Sequence, residues 1–119
     1  MAIIVHHLEE SRSQRVLWLL EELGLAYEVK RYPRNPQTRL APVELKDIQP
    51  LGKSPMIERG GKLFAESGAI IEFFAETEAG GALSVAPGDP ARAEYLYWLH
   101  FAEGSAMLPL LLKLYVSLL

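Results

Sequence analysis

The hydrophobic positions of the first 32 residues change period twice along the chain. Ile3 to Val5 are consecutive β-branched residues, a run that favours a strand buried on both faces. Apolar residues then recur every three or four positions from Val16 to Leu23, which predicts an amphipathic helix. From Ala26 to Tyr32 the pattern alternates and is rich in strand formers. A strand, a helix and a strand in this order predict two parallel strands with a right-handed crossover.

The ends of the first helix carry their own signals. Ser11 and Gln14 have the spacing of a capping box, which predicts that Ser11 caps the helix. Gly24 follows the last periodic residue and is placed to end the helix.

A polar, proline-rich loop follows the second strand, and then four further elements are predicted. Val43 to Ile48 can form at most a short helix. Two short apolar runs flank Gly60-Gly61, which predicts a β-hairpin. Ser67 to Glu78 has the pattern of a second long helix.

A stretch dense in glycine and proline, residues 80–89, separates this region from the last part of the chain. Asp89 and Pro90 are typical of a helix start, with Asp89 as N-cap. Met107 to Leu119 is apolar but too short to cross a membrane. We therefore expect a first domain at 1–79, a linker at 80–89, and the beginning of a truncated helical domain at 90–119.

Composition excludes several classes of function. The 119 residues include 12 basic and 15 acidic side chains, a net charge of −3, which argues against a nucleic-acid-binding face. The absence of cysteine excludes a disulfide scaffold, a thiolate metal site and Cys-x-x-Cys redox chemistry. The three histidines lack metal-ligand spacing, so no metal is expected. The amino-terminal residues have no basic segment before a long apolar run, so a cytoplasmic protein is expected.

Four stretches resemble cytosolic glutathione transferases. Three resemble the N-terminal domain of that family: Ser11–Glu28, Pro50–Ile57 and Phe64–Ile70. The residues from Pro90 onward resemble the first helices of its all-α domain. The resemblance implies an α/β fold, a thioredoxin-like βαβ-α-ββα domain followed by the beginning of an all-α helical domain. Thioredoxins and glutaredoxins share this plan, but their reactive cysteine is missing here.

The resemblance places Ser11 at the family's serine hydroxyl, the catalytic group that holds the glutathione sulfur as a thiolate. Hydrogen bonds to a thiolate lower the thiol pKa. Ser13 lies two residues further on, and the choice between the two serines stays open. Helix capping alone would also account for Ser11.

The resemblance places a glutathione-binding segment at Lys53, Ser54 and Pro55. It implies a cis peptide bond before Pro55, with the backbone of Ser54 free to pair with the cysteinyl part of glutathione. Lys53 would meet the glycine carboxylate. A loop proline and a solvated lysine are the simpler interpretation.

The dipeptide Glu66-Ser67 matches the two charges of a γ-glutamyl group. Ser67, expected as the N-cap of the helix to Glu78, would bind the carboxylate with the helix amino terminus. Glu66 would bind the ammonium group. A capping serine preceded by a glutamate is the alternative without a ligand.

The resemblance implies a glutathione transferase, in which glutathione is co-substrate and its thiolate attacks an electrophilic small molecule or a peroxide. A lyase or isomerase of the serine type also stays possible. The alternative is a non-catalytic glutathione-binding or dimerisation module. A homodimer is expected, with no nucleic-acid partner and no membrane partner.

Overall fold

The computed structural model describes all 119 residues, whose contacts form two units, Met1–Phe74 and Ala75–Leu119. A four-stranded sheet is the centre of the first unit. Its strands are β1 (Ile3–Leu8), β2 (Glu28–Tyr32), β3 (Met56–Arg59) and β4 (Lys62–Ala65), in the spatial order β2-β1-β3-β4. Three helices accompany them: α1 (Ser13–Glu22), α2 (Leu45–Ile48) and α3 (Ser67–Thr77).

The pairing of the strands brings one end of each of the four strands to the same end of the sheet. β1 and β2 are parallel, as the sequence predicted, with Leu8 opposite Tyr32. β3 is antiparallel to β1 and to β4, with His6 opposite Met56 and Met56 opposite Ala65. The last residues of β1, β2 and β4 therefore lie beside the first residue of β3.

Alternation along the strands gives the sheet two apolar faces. The larger buried cluster joins the sheet to α1 and α3; its members are Ile3, Val5, Val16, Leu19, Leu20, Ile57, Ile70 and Phe74. A smaller cluster on the face towards α2 contains Leu8, Leu45 and Met56. Full burial of one such side chain is worth about 1.5–3 kcal/mol, so these clusters are the main stabilising contribution of the first unit.

Helix α1 ends as the sequence predicts but begins later. Gly24 has φ 64°, and hydrogen bonds run from its N–H to Glu21 and from the Leu25 N–H to Leu20, both 3.0 Å. This is a Schellman motif, which a glycine at that position favours. The predicted capping box is wrong: the residue before the helix is Arg12, and no side chain caps it.

The N-cap of helix α3 lies one residue earlier than the sequence predicted. The Glu66 carbonyl accepts the first helical hydrogen bond, from the Ile70 N–H at 2.9 Å. Ser67 is thus the first helical residue and not the N-cap that the sequence predicted. Glu66 itself has φ 71°, a left-handed conformation that is uncommon for residues other than glycine.

The second unit is helical from Arg92 to Ser117. Helix α4 (Arg92–Phe101) runs through a π-helical turn, Ala102–Ala106, into α5 (Met107–Ser117). Pro109 would clash with a carbonyl four residues earlier in a regular α-helix, and the wider turn lies there. None of the helices combines the length and the apolar character needed to cross a lipid bilayer.

The start of α4 corrects a third capping prediction. Asp89 was predicted to be its N-cap, but the helix begins at Arg92 after Ala91. The Asp89 carboxylate instead accepts a hydrogen bond from the Ala91 N–H at 2.8 Å. Asp89 therefore stabilises the turn that precedes the helix. A short 3₁₀ helix, Ala79–Gly81, lies in the glycine-rich segment before it.

Candidate functional site

Predicted site residues from two distant parts of the sequence meet at the backbone of Leu8, where β1 ends. The Leu8 carbonyl accepts a hydrogen bond from the Ser11 hydroxyl at 2.7 Å, and the Leu8 N–H donates to the Ser54 hydroxyl oxygen at 3.3 Å. Ser54 also donates to the His6 carbonyl at 2.8 Å. The Ser54 side chain thus continues the pairing of β1 beyond the first residue of β3, and its role here is structural.

The two candidate serines differ in exposure. Ser11 is half-buried, whereas Ser13 has no exposed surface. Their Oγ atoms lie 2.7 Å apart, and the Ser13 N–H donates to the Ser11 Oγ at 3.2 Å. A ligand atom arriving from solvent can therefore meet the Ser11 hydroxyl, while Ser13 lies behind it.

A histidine that no sequence motif indicated contacts the second serine. His7 Nδ1 lies 2.7 Å from the Ser13 Oγ, which is also 3.2 Å from the Leu8 carbonyl oxygen. His7 is two positions beyond the buried Val5 in β1, so its side chain projects to the same face, towards α1. The alternation of side chains along β1 indicates from the sequence that His7 faces α1. It does not indicate that the imidazole contacts Ser13.

The segment before β3 has the predicted peptide geometry. The Ser54–Pro55 bond is cis, which confirms the expectation drawn from the resemblance. Pro55 is buried and Lys53 is exposed. The two residues therefore differ in what they offer: Pro55 shapes the backbone, and Lys53 presents a cationic side chain to solvent.

The dipeptide after β4 lies at the same end of the sheet. Met56 is paired with Ala65, so Glu66 and Ser67 follow β4 where Ser54 and Pro55 precede β3. The Glu66 side chain is exposed, while Ser67 is only 7% exposed in the first turn of α3. The first turn of a helix carries free N–H groups and a positive dipole end, which suit an anionic group.

An arginine that no motif indicated holds the loop before Ser11. Arg34 donates from its guanidinium to the carbonyls of Glu9, Glu10 and Arg39, at 2.7, 3.1 and 3.0 Å. Because these carbonyls belong to the loops after β1 and after β2, Arg34 fastens one loop to the other. An ion pair between Arg39 and Glu10 joins the same two loops, and one between Arg31 and Glu9 joins β2 to the loop after β1.

The face of the sheet towards α2 holds a second polar cluster. The buried His6 ring contacts the Tyr32 hydroxyl at 2.9 Å through Nδ1 and the Glu58 carboxylate at 2.7 Å through Nε2. Burial, together with the negative charges of Glu58 and Glu44, raises the pKa of Tyr32 above its usual value. This cluster links β1 to both of its neighbours, β2 and β3.

The site therefore combines the hydroxyl of a partly exposed serine, a lysine, a carboxylate and the first turn of a helix at one end of a sheet. Such groups can bind a small zwitterionic molecule by hydrogen bonds and ion pairs. No group of three or more histidine, aspartate or glutamate side chains lies close enough together to hold a metal ion.

Comparison with known proteins decides the family. A family model described as the N-terminal domain of glutathione S-transferases matches residues 11–77, more than half of the chain. The chain belongs to the glutathione S-transferase family. This confirms the resemblance seen in the sequence, and with it the thioredoxin-like α/β domain followed by a helical region.

Two relatives of this chain are longer than it is. Glutathione S-transferase 3 of Schizosaccharomyces pombe is 41% identical over 106 residues, which are 88% of this chain and 43% of the relative. A crystal structure of a glutathione S-transferase from Actinobacillus pleuropneumoniae superposes with a TM-score of 0.79 at 39% identity, covering 86% of this chain and 48% of that one. The chain thus spans about half the length of these relatives.

A more distant structure shares the fold. It is a glutathione transferase homologue from Lodderomyces elongisporus, 23% identical with a TM-score of 0.70, covering 85% of this chain and 50% of that one.

Proposed function

We propose that the chain binds glutathione at the end of β1 and activates its thiol for attack on an electrophilic small molecule. The observation that carries the proposal is the hydroxyl of the partly exposed Ser11, which is hydrogen-bonded at the end of β1 to the backbone that also holds Ser54. The family supports it, since the relatives that are 41% and 39% identical to the chain are named glutathione S-transferases. A transferase is therefore favoured over the non-catalytic module.

The Ser11 hydroxyl is proposed as the donor to the glutathione sulfur. A free thiol has a pKa of about 8.5, and hydrogen bonds to the thiolate lower it. Helix α1 begins two residues later, at Ser13, and its positive amino-terminal end favours a negative charge nearby. Together these raise the fraction of nucleophilic thiolate at neutral pH.

The peptide part of glutathione is proposed to lie along the residues that precede β3 and follow β4. Lys53 would pair with the glycine carboxylate, and the backbone of Ser54 with the cysteinyl group, next to Pro55. The γ-glutamyl group would place its carboxylate on Ser67 and the start of α3, and its ammonium on Glu66. The Lodderomyces elongisporus homologue was solved with two glutathione molecules per subunit, which supports this ligand class.

Several wider features belong to the same proposal. We propose domain limits at 1–79 and 90–119 with a linker at 80–89, a homodimeric assembly and a cytoplasmic location. Conjugation to an electrophile is favoured as the reaction, with reduction of peroxides as a second use of the same thiolate. No metal takes part in either reaction as proposed.

Ultraviolet absorbance of the thiolate tests the proposed activation. Titration of glutathione in the presence of saturating protein is expected to give a thiol pKa below that of free glutathione. Ser11→Ala is expected to return it most of the way to the free value. A bound thiol whose pKa equals that of free glutathione would contradict activation by this chain.

A further inference from the structure

We propose that His7 and Ser13 are positioning residues that aim the Ser11 hydroxyl at the sulfur of glutathione. The inference rests on the proposed function, because it concerns the group that would hold the thiolate. Neither residue needs to touch the ligand. Ser13 has no exposed surface, and His7 contacts Ser13 on the side of the sheet that faces α1.

The hydroxyl proton of Ser11 has two partners inside the protein. The Ser11 Oγ lies 2.7 Å from the Leu8 carbonyl oxygen and 2.7 Å from the Ser13 Oγ. A hydroxyl has one proton to donate, so a bond to either partner turns it away from a ligand. Ser11 can donate to a thiolate only when its proton is used in neither of these two internal hydrogen bonds.

Ser13 is the donor that can release Ser11. Its Oγ lies within reach of the Leu8 carbonyl oxygen at 3.2 Å and of the Ser11 Oγ at 2.7 Å. If Ser13 donates to Leu8, the carbonyl no longer needs the Ser11 proton. If Ser13 donates to Ser11, the Ser11 oxygen accepts a second hydrogen bond besides that of the Ser13 N–H, and its own proton becomes a stronger donor.

His7 decides which way the Ser13 proton goes. The His7 Nδ1 is 2.7 Å from the Ser13 Oγ. With a proton on Nδ1 the imidazole donates to Ser13, whose own proton must then go to Leu8 or Ser11. With a bare Nδ1 it accepts the Ser13 proton, and Ser11 stays bonded inward. These hydrogen bonds from His7 through Ser13 to Ser11 therefore favour donation of the Ser11 proton to a ligand when His7 carries its proton on Nδ1.

Three variants of the full chain test this relay. His7→Leu removes the donor, Ser13→Ala removes the intermediate hydroxyl, and His7→Asn keeps an N–H at a similar distance from the backbone. The readout is the pKa of protein-bound glutathione from thiolate absorbance. S-methylglutathione, which has no ionisable thiol, is the control ligand, and its affinity is measured by calorimetry.

His7→Leu and Ser13→Ala are each expected to lower the thiolate fraction of bound glutathione about threefold to tenfold. Each variant weakens the hydrogen bond from Ser11 to the charged sulfur without removing it. The double variant is expected to show no larger effect than either single variant, because both break one chain of contacts. His7→Asn is expected to stay within about twofold of the unmodified chain. The affinity for S-methylglutathione is expected to be unchanged in all of them.

Two results would overturn the inference while leaving the proposed function intact. One is a lowered thiol pKa that persists in both His7→Leu and Ser13→Ala. The other is an equal loss of affinity for glutathione and S-methylglutathione, which would show a purely structural role. If the unmodified chain fails to lower the thiol pKa, the proposed function itself is wrong, and the inference fails with it. Should His7→Leu not fold, the comparison of Ser13→Ala with His7→Asn decides.

Discussion

The Oγ atoms of Ser11 and Ser13 lie 2.7 Å apart, yet solvent reaches only Ser11. The two hydroxyls therefore have separable consequences. Loss of the exposed one removes a group that can meet a ligand, whereas loss of the buried one leaves His7 without its partner. A buried polar group without a hydrogen bond costs about 1–3 kcal/mol.

Replacement of the partly exposed Ser11 is expected to lower activity most, whereas replacement of the buried Ser13 should lower stability as well as the thiolate fraction. Ser11→Ala should lower the rate of conjugation at least about tenfold, the loss of one hydrogen bond to a charged sulfur. Ser13→Ala should lower the free energy of unfolding by about 1–3 kcal/mol. Urea denaturation and an assay with a generic electrophile measure the two effects. Ser117→Ala, which removes a hydroxyl bonded to a backbone carbonyl in the second unit, is the matched control.

Glu66 combines an unfavourable backbone conformation with an exposed carboxylate. Glu66→Gly and Glu66→Val both remove the carboxylate and should both weaken glutathione binding. Only the valine should also destabilise the fold, by about 1–2 kcal/mol relative to glycine, because a β-branched residue resists φ 71°. Thermal unfolding and calorimetry check the pair. Equal stability of the two variants, or full binding by either, would contradict the assignment.

Arg34 is expected to contribute more to the free energy of unfolding than its exposed neighbours do. Arg34→Ala removes hydrogen bonds to three backbone carbonyls and should lower the free energy of unfolding by about 1–3 kcal/mol. Arg34→Lys should not restore it, since an ammonium lacks the planar fork of donors. Arg31→Ala breaks only an exposed ion pair with Glu9 and should cost less than about 1 kcal/mol. Urea unfolding of the three variants ranks them.

The raised pKa of Tyr32 leads us to expect that the folded chain loses stability at alkaline pH. Burial and the carboxylates of Glu58 and Glu44 raise its pKa in the folded chain above the usual value of about 10. Above pH 10 the unfolded chain releases the phenolic proton first, so stability falls as pH rises through the raised pKa. Tyr32→Phe should make this fall less steep, and at neutral pH it should cost about 1 kcal/mol for the lost contact with His6. Unfolding measured from pH 8 upward tests both.

The strands and helices were predictable because their periods are strong and local. The run at Ile3–Val5 and the spacing from Val16 to Leu23 each fit one element, and the structure has both. The helix starts were not predictable, because serine and aspartate serve two local purposes. Ser11 and Asp89 each accept a hydrogen bond from the backbone N–H two residues later, which makes a turn before the helix instead of a cap.

Residues of the candidate site were predictable only where they belong to a recognisable sequence motif. The motifs placed Ser11, Ser54 and Glu66 in three separate stretches, and the sheet pairing then brings those stretches to one end. His7 and Arg34 escaped because their partners are set by tertiary contacts. Nothing in the sequence around Arg34 indicates that its guanidinium meets carbonyls more than twenty residues earlier.

Calorimetric titration of the chain with glutathione tests the central claim most directly. We expect one glutathione per chain, with affinity reduced at least about tenfold in the double variant Glu66→Ala/Ser67→Ala, which loses charge-assisted contacts to the γ-glutamyl group. Circular dichroism of both samples verifies that each is folded. A folded, unmodified chain that binds no glutathione, or a double variant that binds it equally well, would contradict the account.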